Sequence, residues 1–93
     1  MKLTHVDGEN KKNLVLYALS TCVWCKKSKA LLGDLNVAYD YVHLDELTGE
    51  ERDRAVEQLK QWDPKCSFPS LVVDNATCVV GYDEKKIREA LEL

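Results

Sequence analysis

Leu14-Val15-Leu16-Tyr17-Ala18-Leu19-Ser20-Thr21-Cys22-Val23-Trp24-Cys25 runs from an apolar strand pattern through a polar break into a cysteine pair at the start of a helix. The six residues to Leu19 form an unbroken apolar run, the signature of a short strand buried on both faces. Ser20-Thr21 breaks the run, and Thr21 is placed to cap the helix that follows. Cys22 and Cys25 open that helix one turn apart. A thiol is a weak nucleophile at neutral pH until its thiolate is stabilised. A helix N-terminus does this with unpaired N–H groups and a partial positive charge. Cys22 falls at the exposed tip, and Cys25 one turn further in is placed to attack any mixed disulfide formed on Cys22. The spacing reads as a reversible dithiol/disulfide couple.

Downstream of the pair, Cys25, Ser28, Leu32 and Leu35 recur at helical spacing with Leu31 alongside, while Lys26, Lys27 and Lys29 turn outward. Residues 37–44, rich in β-formers, predict a second strand. Thr48-Gly49-Glu50-Glu51 matches a capping box, with Thr48 as cap and Glu51 three residues on. The helix behind it presents Ala55, Val56, Leu59 and Trp62 on one face and stops at Asp63-Pro64, since the residue before proline disfavours helix. Phe68-Pro69 precedes a third strand over 70–73. Asp74-Asn75-Ala76 is turn chemistry, and a fourth strand over 77–80 completes a hairpin. Gly81-Tyr82 leads to Asp83, the expected N-cap of a last helix whose inner face is Ile87, Ala90 and Leu91. The expected order is β-α-β-α-β-β-α, an α/β fold with a four-stranded mixed sheet flanked by helices. Residues 1–13 read as either a short extra strand around Leu3–Val6 or a loose arm.

Ninety-three residues make one small domain, 1–93, without room for a second core. A net charge of −3 gives no electrostatic case for nucleic acid or an anionic membrane surface. No run approaches the roughly 18 consecutive apolar residues of a membrane span. His5, Asp7, Glu9 and Lys11-Lys12 interrupt any signal-like apolar core near the start. Four cysteines without an export signal point to a reducing cytoplasm, where a CxxC pair is redox-active or metal-bound.

The element order, with CxxC at the end of the first strand and an X-Pro before the third, resembles the thioredoxin fold. The small size resembles glutaredoxins in particular, over roughly residues 13–92. That resemblance implies a thiol–disulfide oxidoreductase with Cys22 as attacking thiol and Cys25 as resolving thiol. It also implies a cis Pro69 facing the pair, with Phe68 offering its backbone to an extended substrate. The bland reading of Pro69 is a trans proline starting an edge strand. Val23-Trp24 stands where glutaredoxins usually have Pro-Tyr, and Leu19 where they usually have a lysine that meets a glutathione carboxylate. Ser67-Phe68-Pro69 replaces Thr-Val-Pro. Gly81-Tyr82-Asp83 keeps part of the Gly-Gly-x-Asp anchor for the other end of glutathione. The Gly-aromatic pair is similar to glutaredoxin-like proteins that take electrons from a reductase.

The expected activity is reduction of protein disulfides through a mixed disulfide, by a monomer that needs no dissociable cofactor and an external electron donor. Trp24, Phe68, Pro69, Gly81, Tyr82 and Asp83 are the substrate-binding candidates, with Asp83 first of all a helix cap. The competing class is a metal- or iron–sulfur-binding module with Cys22 and Cys25 as ligands. A tetrahedral zinc site needs four ligands, typically two CxxC-like knuckles. Cys66 and Cys78 lie twelve apart around a hairpin, and His5 and His43 show no ligand spacing, so no metal site is expected. Cys66 falls in the loop expected to face Cys22, either a third redox thiol or a small hydrophobe. Cys78 reads as an inert core residue. His43 and Asp45 read as strand-end polar groups, with a proton relay as the alternative.

Overall fold

The structure, a computed structural model, describes residues 3–93. Its centre is the apolar run that opens the chain's reading, now strand β2 (Leu14–Ala18). With β1 (Thr4–Val6), β3 (Tyr39–His43), β4 (Ser70–Val73) and β5 (Thr77–Val80) it forms one sheet in the order β1-β3-β2-β4-β5. The β2–β3 pair is parallel; the others are antiparallel. A parallel pair cannot be closed by a tight turn, and helix α1 (Val23–Asp34) makes the crossover. A 3-10 turn (Leu44–Glu46), α2 (Gly49–Trp62) and α3 (Glu84–Ala90) complete the chain.

Side chains of a strand alternate between faces, and β2 feeds both. Leu14, Leu16 and Ala18 pack with Cys25, Leu31 and Leu32 of α1, Ile87 of α3 and Leu91. Tyr17 packs the other way, with Val15 and Leu19 alongside, against Ala55 and Leu59 of α2, Val42 and Val72. A strand sandwiched in this way has no polar face, so its sequence shows no alternation. Truncating a buried leucine such as Leu16 to alanine costs about 2–5 kcal/mol at sites of this kind.

The sheet has five strands rather than the expected four. Of the two readings of the N-terminal segment, the extra strand is the one found, over Thr4–Val6; Met1 and Lys2, also covered by that reading, lie outside the described residues. Three residues carry no periodicity of their own. What fixes them is tertiary. They pair with β3 in the register Thr4↔Tyr41 and Val6↔Tyr39, and His5 hydrogen-bonds Asp40 at 2.7 Å across the pair. That contact with Asp40 raises the His5 pKa above its usual value. Gly8 then lets the backbone pass against Val37, where a Cβ would sit 2.6 Å from its carbonyl carbon.

Two caps differ from expectation. Thr48 is the N-cap residue of α2, but its side chain makes no capping hydrogen bond. The helix enters through Gly49 at φ +59°, a left-handed turn that breaks the regular geometry a capping box requires. The cap of α1 is Cys22, not Thr21. Asp83 caps α3 as expected, accepting the Lys86 amide at 3.1 Å.

Candidate active site

Cys22 occupies the junction between β2 and α1, with extended backbone (φ −84°, ψ 118°). Serine, threonine and aspartate usually fill such a position, since their oxygen accepts an orphan helix amide. Here sulfur does so, taking the Cys25 amide at 3.2 Å. The same amide would stabilise negative charge on that sulfur, because hydrogen bonds to an ionised acceptor are the stronger ones. The β2–α1 loop is closed by the Cys22 amide donating to the Leu19 carbonyl at 3.3 Å. It is also tied to the 3-10 turn by Asp45, whose carboxylate accepts both the amide of Ser20, at 2.9 Å, and its hydroxyl. These hydrogen bonds hold the Asp45 carboxyl below the ordinary aspartate value.

Cys25 is 1% exposed and belongs to the core cluster. Its thiol is pushed up to about 12, first by burial and then by the Cys22 side chain, while the main chain of Leu19 and the charge of Lys29 pull the other way. The pair is therefore asymmetric, with a half-buried, amide-bonded sulfur in front of a buried thiol that holds its proton.

Val23 and Trp24, between the cysteines, are exposed. Trp24 stacks on Tyr82 with ring centroids 6.0 Å apart and planes 23° from parallel, and Lys27 Nζ lies 4.7 Å over the indole. Tyr82 follows Gly81, whose φ of +82° is glycine's territory and whose amide donates to the Pro69 carbonyl at 2.7 Å. The Phe68-Pro69 bond is cis, as the resemblance implied, and Phe68 packs against both core clusters. Cys22 and Tyr82 pack against the same cluster as Phe68. The structure thus gathers Cys22, Trp24, Phe68, Pro69, Gly81 and Tyr82 around one end of the sheet, with Asp83 turned to its capping duty. These positions come from three separate segments, and none of the segments signals the others in the sequence.

Other expectations change. Cys66 packs against the α2-side cluster with Cys78 and Phe68, while Cys22 packs against the α1-side cluster, which Phe68 also joins. The loop takes this course because Asp63 accepts the amides of Lys65 and Ser67 on its carboxylate and that of Cys66, at φ +51°, on its carbonyl. Cys78 is half-buried rather than a core residue, and burial raises its thiol pKa. Lys26 and Lys27 are exposed as expected; Lys29 is not turned outward but lies over Tyr41, 4.0 Å from the ring centroid. His43 and Asp45 do not pair with each other, since His43 bonds Lys29 and Glu46. Among the described residues no group of three or more His, Cys, Asp or Glu side chains is placed to hold a metal ion.

A thioredoxin-type sheet carrying an N-cap cysteine with a buried partner one turn behind, beside a cis-proline, defines a dithiol redox fold. Comparison with known proteins narrows the class. A sequence model described as Glutaredoxin matches residues 14–77. Glutaredoxin 1 of Rickettsia conorii is 34% identical over 62 residues, 67% of this chain and 58% of the relative. Glutaredoxin 1 of Rickettsia prowazekii is also 34% identical, over 67% of this chain and 62% of that protein. The chain thus spans less than two thirds of the length of these curated relatives. The crystal structure of a glutaredoxin from Methanosarcina mazei Go1 superposes with a TM-score of 0.92 at 44% identity, covering 100% of this chain and 90% of that one. Methanosarcina acetivorans methanoredoxin gives 0.91 at 43%, covering 100% and 97%. The chain belongs to the glutaredoxin family.

Proposed function

We propose that the protein is a thiol–disulfide oxidoreductase that reduces protein disulfides through Cys22 and Cys25. The observation that carries this reading is the asymmetry of the pair. The Cys22 sulfur accepts the helix amide at 3.2 Å, while Cys25 is 1% exposed with its thiol near 12. Cys22 thiolate attacks a substrate disulfide and releases one substrate thiolate, and Cys25 thiolate then attacks Cys22 Sγ. The second substrate sulfur leaves with the bonding pair and takes up a proton, and a Cys22–Cys25 disulfide remains. Two electrons pass to the substrate, and an external thiol or reductase restores the dithiol. No dissociable cofactor enters the cycle.

The stacked Trp24–Tyr82 surface, the Phe68 backbone and the edge left open by Pro69 support binding of an extended protein segment beside Cys22. In this reading the protein acts as a monomer on proteins of a reducing cytoplasm; no helix among the described residues is long and apolar enough to cross a membrane. The direct test is a single turnover with an oxidised protein substrate. Mass spectrometry should find a loss of two hydrogens on the peptides holding Cys22 and Cys25, matched by two new thiols on the substrate. Oxidation that leaves Cys22 and Cys25 as thiols overturns the proposal.

A further inference from the structure

Resolution of the mixed disulfide requires Cys25 to become a thiolate, yet in the reduced protein burial, with the Cys22 side chain adding to it, pushes this thiol up to about 12. At that value the thiolate fraction at neutral pH is on the order of one part in 10⁵. A group that takes this proton must lie close by, and must itself pass a proton on.

Lys29 stands four residues beyond Cys25 on α1, the spacing that makes side chains neighbours on a helix. It is half-buried rather than solvated, laid over the Tyr41 ring at 4.0 Å, and its Nζ hydrogen-bonds His43 Nε2. His43 Nδ1 in turn lies 2.7 Å from Glu46 Oε1. The donors fix the tautomer. A lysine ammonium has only hydrogens to give, so Nε2 accepts; the ring proton sits on Nδ1 and is donated to the Glu46 carboxylate. The sheet brings this chain to Cys25 from a second direction. His43 is the register partner of Ala18 in the parallel β2–β3 pair, and Ala18 packs in the same cluster as Cys25. Paired residues of adjacent strands share a face and lie about 4.8 Å apart.

From this juxtaposition we infer that Lys29, His43 and Glu46 form a proton relay serving the resolving thiol Cys25. The Lys29 ammonium shifts one proton to His43 Nε2, making an imidazolium held by the Glu46 carboxylate. The amine so formed takes the Cys25 thiol proton. Cys25 thiolate attacks Cys22 Sγ, the Cys22–substrate bond breaks, and the substrate sulfur carries off the electron pair. The imidazolium returns its extra proton to solvent or to the leaving thiolate. Burial already lowers the Lys29 ammonium from the ordinary lysine value, in the sense that eases the first shift. The groups facing the relay are few: Cys22 beside Cys25; Cys25, Lys26, Tyr41 and Glu46 around Lys29; Tyr41, Asp45 and Glu46 around His43. Lys29 and His43 are positioning and proton-carrying residues, distinct from the sulfurs that exchange.

The inference rests on the proposed dithiol exchange, and one experiment separates the two. Reduced protein in excess is mixed by stopped flow with dithiobis(nitrobenzoate), and release of coloured nitrothiobenzoate is followed. The first release reports attack by Cys22 and the second reports resolution by Cys25. The parent protein should show both, with a resolution rate nearly flat in pH between about 6 and 7.5, because there the proton stays within the relay and the bare-thiolate route adds little. In Lys29→Met and in His43→Gln the ratio of second to first rate should fall at least about tenfold near neutrality. Their resolution rates should then climb about tenfold per pH unit, following the bare thiolate fraction. Lys29→Arg keeps the charge but cannot accept a proton, so it should show the same steep climb. A flat profile in Lys29→Arg or in both other variants overturns the relay while leaving the dithiol reading intact. Absence of a Cys25-dependent second phase in the parent protein overturns both. Variants with unaltered thermal unfolding keep the comparison free of folding effects, and a merely structural Lys29 would leave the pH slope unchanged.

Discussion

The amide of Cys25 donates to the sulfur of Cys22 at 3.2 Å, so that the cap of the helix and its exposed thiol are one side chain. Cap and nucleophile make the same demand on the helix, namely unpaired N–H groups with nothing bulky in front of them. A cap oxygen at this position would satisfy the helix but leave the site without a thiol. The structure combines the two duties, and the partner whose amide does the bonding is itself the second cysteine.

The first expectation concerns reactivity. Limiting iodoacetamide near pH 6 should label Cys22 before any other cysteine, because Cys25 is buried with its thiol pushed up to about 12 and burial likewise raises Cys78. Peptide mapping decides it. First labelling of Cys25 or Cys66 would reverse the assignment of roles.

Cys25→Ser should accumulate mixed disulfides with substrate proteins, since attack is retained and resolution is lost. Cys22→Ser should capture none. Non-reducing gels followed by mass spectrometry give the answer, and equal trapping by both variants would bring Cys66 into the chemistry despite its place on the α2-side core.

Trp24 should contribute to substrate binding rather than to chemistry. It is 54% exposed and stacked on Tyr82, so removing it deletes a flat apolar face without disturbing the core. An aromatic contact of this kind is worth about 0.5–1.5 kcal/mol beyond its area. Trp24→Ala should therefore raise KM for a protein substrate by about two- to tenfold with kcat nearly unchanged. A fall in kcat at constant KM would place Trp24 in the chemical step instead.

The reduced protein should lose stability as pH rises above 9. The Cys25 thiol ionises near 9.0 in an unfolded chain and near 12 when folded. Between those values the unfolded state has released a proton that the folded state still binds, so rising pH favours unfolding. Burial raises Tyr17 and Tyr39 as well, and their effect adds in the same sense at higher pH. Denaturant midpoints measured at pH 8 and in the alkaline range should fall less in Cys25→Ser than in the parent. Equal slopes would show that Cys25 is not held protonated by the fold.

Some of this was legible from residues alone and some was not, for physical reasons. The two-faced apolar run gave β2, the CxxC gave the site, and Asp63-Pro64 ended α2 where proline chemistry says it must. β1 was open between two readings because three residues held by register and by Gly8 leave no local signature. The Trp24–Tyr82 stack joins positions far apart in the chain, and only the packing of α1 against the segment after β5 brings them together. Lys29 looked like one more solvated lysine, since helical spacing does not say that Tyr41 and His43 wait on the neighbouring strand. Thr21 and Thr48 were reasonable capping residues by type, but a sulfur displaced the first and a left-handed glycine spoiled the second.

Glutathione should be a poor reductant of the Cys22–Cys25 disulfide. In the family pattern a lysine three residues before the first cysteine meets a glutathione carboxylate; here Leu19 stands there, half-buried against the α2-side core, offering neither charge nor hydrogen bond. At the other end Asp83 spends its carboxylate on the Lys86 amide, and Tyr82 is engaged with Trp24. Losing one charge-assisted hydrogen bond costs about 1.5–3 kcal/mol, roughly ten- to a hundredfold in affinity. Leu19→Lys should accordingly raise the glutathione-dependent rate by about that factor, provided thermal unfolding shows the fold intact. The rate with a reductase as donor should change far less, since a protein donor docks over a wider surface than one carboxylate. Saturating, efficient reduction of the parent protein by millimolar glutathione would mean that Lys26, Lys65 or another cation supplies the missing charge, and that the departures at Leu19 and Gly81-Tyr82-Asp83 carry no functional weight.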